Sequence, residues 1–486
     1  MRRHPHLYEI SAWPWLDRMS RAEDRLVTLA DVSPAVWDAI AGRGVDCVYL
    51  MGVWRRSAVG RLLARTDRAL MTEYDRALPG WGMRDVAGSP YSIQAYEPDA
   101  RMGGWPALDR CREELASRGL RLMLDFVSNH TGFDHEWIRT APELFVQGTL
   151  DNYRAEPLVY RPVEDPDGGA VRFIACGRDP YFPPWTDVAQ LNCFNPATRE
   201  AMTGVLTTIA QHADGVRCDM AMLAMNDVFA RTWQDRVDLL WTRPQAEFWP
   251  EAIRRAPMTY LAEVYWDREL ELQLQGFDFT YDKGLLDRLA HGDPGQLLAH
   301  LRSQGDSARA ARFLENHDEP RSVAAFGHRV RAAAALTFTL PGLRFLFDGQ
   351  LQGVDILVPV QLGRWPDSPD RADIRDLYAR LLTTNDRPLF HDGACTLLDV
   401  SGANGAAAEV IAHGWRLGSE MAVIAVNITA RDAAAFVRVV DLPDGDAFDL
   451  TDQLTGQTYR RTRSDMDRLY VRLQSGNAHL FLVAAV

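Results

Sequence analysis

The chain has 486 residues, of which 47% are hydrophobic and 24% charged, values that exclude global disorder and fibrous repeats. Its 66 acidic side chains against 53 basic ones give a net charge of −13. That balance argues against non-specific binding of nucleic acid or an anionic membrane, whose phosphates the average surface repels.

Residues 1–16 hold no apolar run long enough for a signal peptide, and Glu9 and Asp17 interrupt the region. The stretch 332–347 is broken by Pro341 and Arg344 and makes a poor membrane span. Cys47, Cys111, Cys176, Cys193, Cys218 and Cys395 are scattered without CxxC spacing, a pattern of neither a zinc site nor a disulfide framework. A cytoplasmic location is expected.

In chain order, short apolar runs at 7–10, 47–53, 122–127, 215–219, 259–265, 277–281, 313–316 and 343–347 predict eight strands. Several are apolar throughout, as strands buried on both faces are. Helix signals fall between them. Ser33-Pro34 opens one that runs to Gly42, and 107–118 is amphipathic and stops at Gly119. Asn195-Pro196 starts another that reaches His212, and further helices fit 227–255, 332–339 and 374–382. Eight strands with interleaved helices predict an α/β fold, a (β/α)₈ TIM barrel over residues 1–132 and 188–388. Residues 133–187, rich in Pro, Gly, Asp and aromatics, are too long for an ordinary connection and predict an inserted domain after strand three. Residues 389–486 alternate apolar runs with turn signals and predict a C-terminal all-β sandwich.

Chemistry in such a barrel sits at the C-terminal ends of the strands. There the sequence places Asp125 and Ser128-Asn129-His130, then Arg217 and Asp219, then Glu263, then Glu315 with His317-Asp318. Arg217 and Asp219 are two apart on a strand and share a face. The guanidinium favours an ionised, nucleophilic carboxylate. Glu263 stands among Leu261, Tyr265 and Trp266, where desolvation raises its pKa and keeps it a proton donor. Two carboxyls pushed apart in this way equip a retaining glycoside hydrolase. Each residue alone has a structural reading, and Asp125 is read as bracing a neighbouring loop. The set in this order points to a site.

LDFVSNH, GVRCD, AEVYW and FLENHD resemble the motifs after strands three, four, five and seven of the alpha-amylase superfamily, retaining enzymes that act on alpha-glucosidic bonds. GVDCVYLMGV and VAQLN are similar to two further motifs of that superfamily, and the resemblance covers the whole chain. It implies Asp219 as nucleophile, Glu263 as general acid/base and Asp318 as transition-state stabiliser. It also implies that Arg217, His130 and His317 line the non-reducing-side glucose site, and that Tyr91 of SPYSIQAY stacks on the same sugar.

The sequence departs from the superfamily's pattern in ways that bear on specificity. Ser92 stands where an aspartate is common, and Met222 and Leu223 stand where many alpha-amylases carry a lysine and a histidine. The calcium asparagine of many members corresponds to Asn129. The insertion's Asp134, Asp151, Asp165, Asp167 and Asp179 show no EF-hand pattern, so no cofactor is required and structural calcium is not favoured. Tyr181, Phe182 and Trp185, and near strand two Trp54 and Trp81, are candidate sugar platforms whose alternative role is packing. The expected activity is hydrolysis of alpha-glucans or malto-oligosaccharides through a covalent glucosyl-enzyme, with no nucleic-acid or membrane partner. The rivals are a glucanotransferase or trehalose-type isomerase on the same site, and a non-catalytic relative. A Schiff-base lyase is disfavoured, because Lys283 is the only lysine and stands outside the motifs.

Overall fold

In the computed structural model, the residues described are all but 165–168, 170, 305–306 and 404–408. Eight parallel strands close a barrel. They are β1 His6–Ser11, β2 Cys47–Met51, β3 Arg121–Val127, β4 Gly215–Asp219, β5 Thr259–Ala262, β6 Phe279–Tyr281, β7 Ala310–Arg312 and β8 Leu343–Phe347. Neighbours in space follow neighbours in sequence, and β1 closes the ring by pairing with both β2 and β8. The runs CVYLM and LRFLF are buried throughout, between the barrel interior on one face and helices on the other. His6, Glu9 and Ser11 are the polar exceptions in β1, and all three are buried.

The strand predicted at 313–316 is displaced. β7 occupies Ala310–Arg312, and Phe313 to Asn316 lie beyond its end. The run AAR carries no strand signal. It is admitted here because Arg312 is buried against Asp282, 3.1 Å from Nε to Oδ2, which satisfies a charge that a sequence pattern places outside.

Helix Pro196–His212 starts as read, with Asn195 Oδ1 accepting the Ala197 N–H at 2.9 Å. Helix Pro34–Ala41 also starts at its proline, but the Ser33 side chain makes no capping bond. The sequence left helices Lys283–His291 and Pro294–Ser303 unread.

Between β3 and helix Pro196–His212 the chain forms a separate sheet of five short strands. Its order is His130–Gly132, Trp185–Gln190, Arg172–Gly177 and Gln147–Gly148, with Tyr160–Val163 also on Arg172–Gly177. The C-terminal region forms a six-stranded and a three-stranded antiparallel sheet. Val423, Val437, Val471 and Phe481 pack between them. Its outer face docks on the buried alanine-rich helix Val330–Thr339, where Trp415 Nε1 donates to the Thr339 carbonyl at 2.6 Å. Among the described residues no helix is long and apolar enough to cross a membrane.

Candidate active site

β3, β4 and β5 lie side by side, with Arg217 level with Asp125 on one neighbour and Leu261 on the other. Arg217 and Asp219, two apart on β4, therefore point to the same side. Arg217 is fully buried and organises three carboxyls. Its Nη1 donates to Asp219 Oδ1 at 2.7 Å, its Nη2 lies 2.8 Å from Glu263 Oε2, and Asp318 Oδ2 is 4.0 Å away. The Nη2 contact is an ion pair without the direction of a hydrogen bond.

Met220, directly after Asp219, has φ +41. Left-handed backbone is uncommon in a non-glycine residue. Here it turns the Met220 N–H onto Glu263 Oε2 at 2.7 Å. Glu263 Oε1 accepts from the Tyr265 hydroxyl at 2.8 Å.

These contacts separate the two acids. Burial lifts the Asp219 carboxyl above its ordinary value, and Arg217 opposes the rise by charge and by hydrogen bond. Burial therefore outweighs the guanidinium whose influence the sequence suggested would prevail. Glu263 is pushed up to about 7, again by burial, with Arg217 lowering it and Asp219 and Asp318 raising it. Only Asp219 has the directed guanidinium bond, so it is the carboxyl favoured to ionise first.

Asp318 follows β7 in a turn set by Asn316, whose Oδ1 accepts the N–H groups of Asp318 and Glu319 at 2.9 Å each. It is the open member of the trio, with 46% of its side chain exposed. Burial of its carboxyl raises its pKa, but His317 and Arg217 bring it below the usual range. His317 Nε2 lies 2.9 Å from Asp318 Oδ2 and 2.5 Å from Tyr91 Oη, while Nδ1 meets Glu9 Oε1. Burial disfavours the imidazolium, yet Asp318 and Glu9 lift His317 well above its ordinary value. Tyr91 presents its ring 5.4 Å from the Arg217 guanidinium.

Asp219, Glu263, Asp318, Arg217, His317 and Tyr91 thus form one contact network. His130 stands at its margin. It is buried, held neutral by burial with a pKa near 3, and tied to the Tyr91 backbone and, at 5.5 Å, to the Trp185 ring. Asp125 accepts the Gly52 N–H at 2.6 Å and the Tyr49 hydroxyl, the bracing role read from the sequence. Ser92 turns away and donates to the Asp187 carbonyl at 2.8 Å. Met222 and Leu223 are buried.

Of the aromatic platforms, Trp54 is fully buried against Tyr96 and Trp105, and Trp81 packs on Tyr74. Phe182 and Trp185 instead line a cleft of about 1000 Å³ together with Met220, Tyr265, Trp266 and Lys283. Tyr181 lies against Trp266, ring centroids 4.8 Å apart.

The described candidate calcium donors make other contacts or face solvent. The Asn129 carboxamide is occupied by Gln190, with Oδ1 accepting from Nε2 at 2.8 Å. Asp134 accepts from the Ala58 N–H and Asp179 from the Tyr181 and Phe182 N–H groups. Asp151 sits in the exposed first turn of helix Leu150–Ala155, and Asp165 and Asp167 lie outside the described residues. Among the described residues no three His, Cys, Asp or Glu side chains gather for a metal.

Sequence reasoning passed over Glu9, the Met220 N–H and the Tyr265 hydroxyl. Glu9 left a signal, a lone carboxylate near the C-terminal end of a buried strand. The other two depend on backbone torsion and left none.

No family model matches the chain. It is 26% identical over 395 residues to alpha-amylase MalA of Haloarcula japonica, a match covering 79% of this chain and 53% of the relative. It is 24% identical to alpha-amylase 3 of Dictyoglomus thermophilum, over 51% of this chain and 50% of that protein. The chain thus spans about half the length of the curated relatives it matches. The chain is similar in sequence to these alpha-amylases. The fold is shared end to end with a solved structure: the maltogenic alpha-amylase AmyB of Thermotoga neapolitana superposes with a TM-score of 0.69 at 18% identity, covering 100% of this chain and 99% of that one.

Proposed function

We propose that the protein is a retaining glycoside hydrolase acting on alpha-glucosidic bonds of alpha-glucans or malto-oligosaccharides. The observation that carries this reading is that one buried guanidinium holds two carboxyls in different states. Asp219 is bound by a directed charge-assisted bond, and Glu263 is pushed up to about 7. Both acids contact the one guanidinium, Asp219 at 2.7 Å and Glu263 at 2.8 Å, and the retaining reading requires their carboxyls to stand about 5–5.5 Å apart. Inverting pairs, at about 6.5–9.5 Å, must admit a water between them.

In this mechanism Glu263 protonates the glycosidic oxygen as Asp219 attacks the anomeric carbon, giving a β-linked glucosyl-enzyme. Glu263, now a carboxylate, takes a proton from water, which attacks and releases the sugar with retention. Asp318, held by His317 and Arg217, faces the charge that develops on the sugar ring. Tyr91 supplies a flat face for the pyranose.

A second reading, transfer to a sugar acceptor, is favoured by the cleft of about 1000 Å³ lined by Tyr265 and Met220, the two hydrogen-bond partners of the Glu263 carboxyl, which has room for an acceptor sugar. One experiment tests both readings. Starch, maltose, isomaltose, trehalose, sucrose and a malto-oligosaccharide series are incubated with the protein, products are separated by chromatography, and the anomer first released is read by NMR. Hydrolysis with retention supports the first reading, and longer or isomerised products support the second. Turnover of none of these substrates, or release of the β-anomer, overturns the retaining assignment.

A further inference from the structure

Glu263 has more partners than a general acid needs, and their donor and acceptor chemistry restricts where its proton can sit. Oε2 faces the Met220 N–H at 2.7 Å and Arg217 Nη2 at 2.8 Å. Both groups only donate, so a proton on Oε2 points at an N–H and a cation. Oε1 faces the Tyr265 hydroxyl at 2.8 Å. A hydroxyl donates to a carboxylate and accepts from a carboxylic acid.

We propose that Tyr265 is a positioning residue that confines the transferable proton of Glu263 to Oε1, the oxygen that faces its hydroxyl, and reverses its own hydrogen bond as Glu263 changes state. The proposal rests on the reading of Glu263 as the general acid/base.

When Glu263 is a carboxylic acid, its Oε1–H is aimed at Tyr265 Oη until a glycosidic oxygen displaces that acceptor. When Glu263 has given up the proton, the Tyr265 O–H turns and donates to Oε1, holding the carboxylate for its turn as base. No proton leaves Tyr265. Burial, followed by the neighbouring Glu263 and Asp318 charges, raises its pKa well above the ordinary value.

The chain fixes Tyr265 in place by unusual means. Trp266 and Asp267, the next two residues, have φ +64 and +58, left-handed backbone that is uncommon in non-glycine residues. The turn lays the Trp266 ring against Tyr181 at 4.8 Å. Tyr265 itself lines the cleft with Met220, Trp266 and Lys283, and its hydroxyl bonds the acid at 2.8 Å.

The test is Tyr265→Phe, which deletes one oxygen and keeps the ring. The groups facing Glu263 are Arg217 and Asp219 from β4, Asp318 from the turn after β7, Tyr281 from β6, and Tyr265. The substitution alters only the last. The carboxylate of Glu263 loses a donor, and a hydrogen bond to a charged group is worth more than one to its neutral form. The alkaline limb of kcat/KM against pH therefore moves upward by about one unit. On a malto-oligosaccharide kcat/KM falls about tenfold. On α-glucosyl fluoride, whose leaving group needs little protonation, it falls much less, by at most about threefold.

Glu263→Gln runs alongside and must abolish the alkaline limb. If it leaves the limb in place, the acid/base reading of Glu263 fails. If it abolishes the limb while Tyr265→Phe neither moves the limb nor separates the two substrates, that reading stands and the role of Tyr265 is overturned.

Discussion

Glu9 and His317 are 308 positions apart in sequence and meet through a short hydrogen bond between Oε1 and Nδ1. Glu9 is fully buried, and its second oxygen has no hydrogen-bond partner. The carboxylate on Nδ1 and Asp318 on Nε2 favour the charged form of the imidazole, whose Nε2 also contacts the Tyr91 hydroxyl. β1 thus supports the carboxylate cluster through His317.

Glu9→Gln keeps the shape and an acceptor for Nδ1–H but removes one of the two charges that raise the His317 pKa. A raised histidine pKa favours the folded, charged state at low pH, and that contribution is lost as pH rises through the folded-state value. Lowering that value brings the loss into the neutral range. The ratio of Glu9→Gln to wild-type kcat/KM is expected to fall by about tenfold or more between pH 6 and pH 8. A ratio constant with pH across that interval refutes the charge role of Glu9.

Glu263 sets function against stability. Its folded pKa, about 7, lies above the ordinary carboxylate value. Such a group favours the folded state below the unfolded pKa, and the advantage is lost as pH rises through about 7. Glu263→Gln carries no such dependence. Urea unfolding of both proteins at pH 5 and pH 8 is expected to show the variant gaining, relative to wild type, on the order of 2 kcal/mol at the higher pH. An unchanged difference between the two pH values shows that Glu263 titrates at its ordinary value.

Metal removal is expected to change little. With Asn129 spanned by Gln190 and the described insertion aspartates bound to backbone N–H groups or exposed, EDTA should leave the melting temperature within about 2 °C and activity within about twofold, since an ion bound only to the native state stabilises by mass action. A larger fall that calcium restores places a structural ion in the insertion.

The barrel was legible because parallel strands buried on both faces leave apolar runs, such as CVYLM in β2 and LRFLF in β8. The end of β7 was not. The eye follows the apolar and motif-bearing Phe313 to Asn316, whereas the ladder is made by Ala310 to Arg312, a run whose burial depends on Asp282 from the preceding strand's end. Arg217, Asp219, Glu263, His317 and Asp318 were legible because short spacing and strand-end position carry their chemistry. Glu9 was not, because its partner lies 308 residues away. The Met220 N–H was hidden for a different reason: it reaches Glu263 only through a left-handed residue, and a methionine gives no sign of that.

The roles of Asp219 and Glu263 are separable by the handedness of a product. Asp219→Ala should cut turnover of natural substrates by several orders of magnitude, because the residue serves the chemical step, while the fold persists. Azide then enters the space that Asp219 left and attacks an activated α-glucoside from the β face in one displacement, giving the β-glycosyl azide. In Glu263→Gln the nucleophile remains, so a β-linked glucosyl-enzyme still forms from an activated α-substrate. Azide needs no general base and attacks it from the opposite face, giving the α-glycosyl azide with net retention. The two variants therefore yield opposite anomers from one substrate, and NMR of the products reads them directly. A β-azide from Glu263→Gln means that no covalent intermediate lies on the path. An α-azide from Asp219→Ala means that another carboxylate is the nucleophile, with Asp318, 4.0 Å from the same guanidinium, the first to replace.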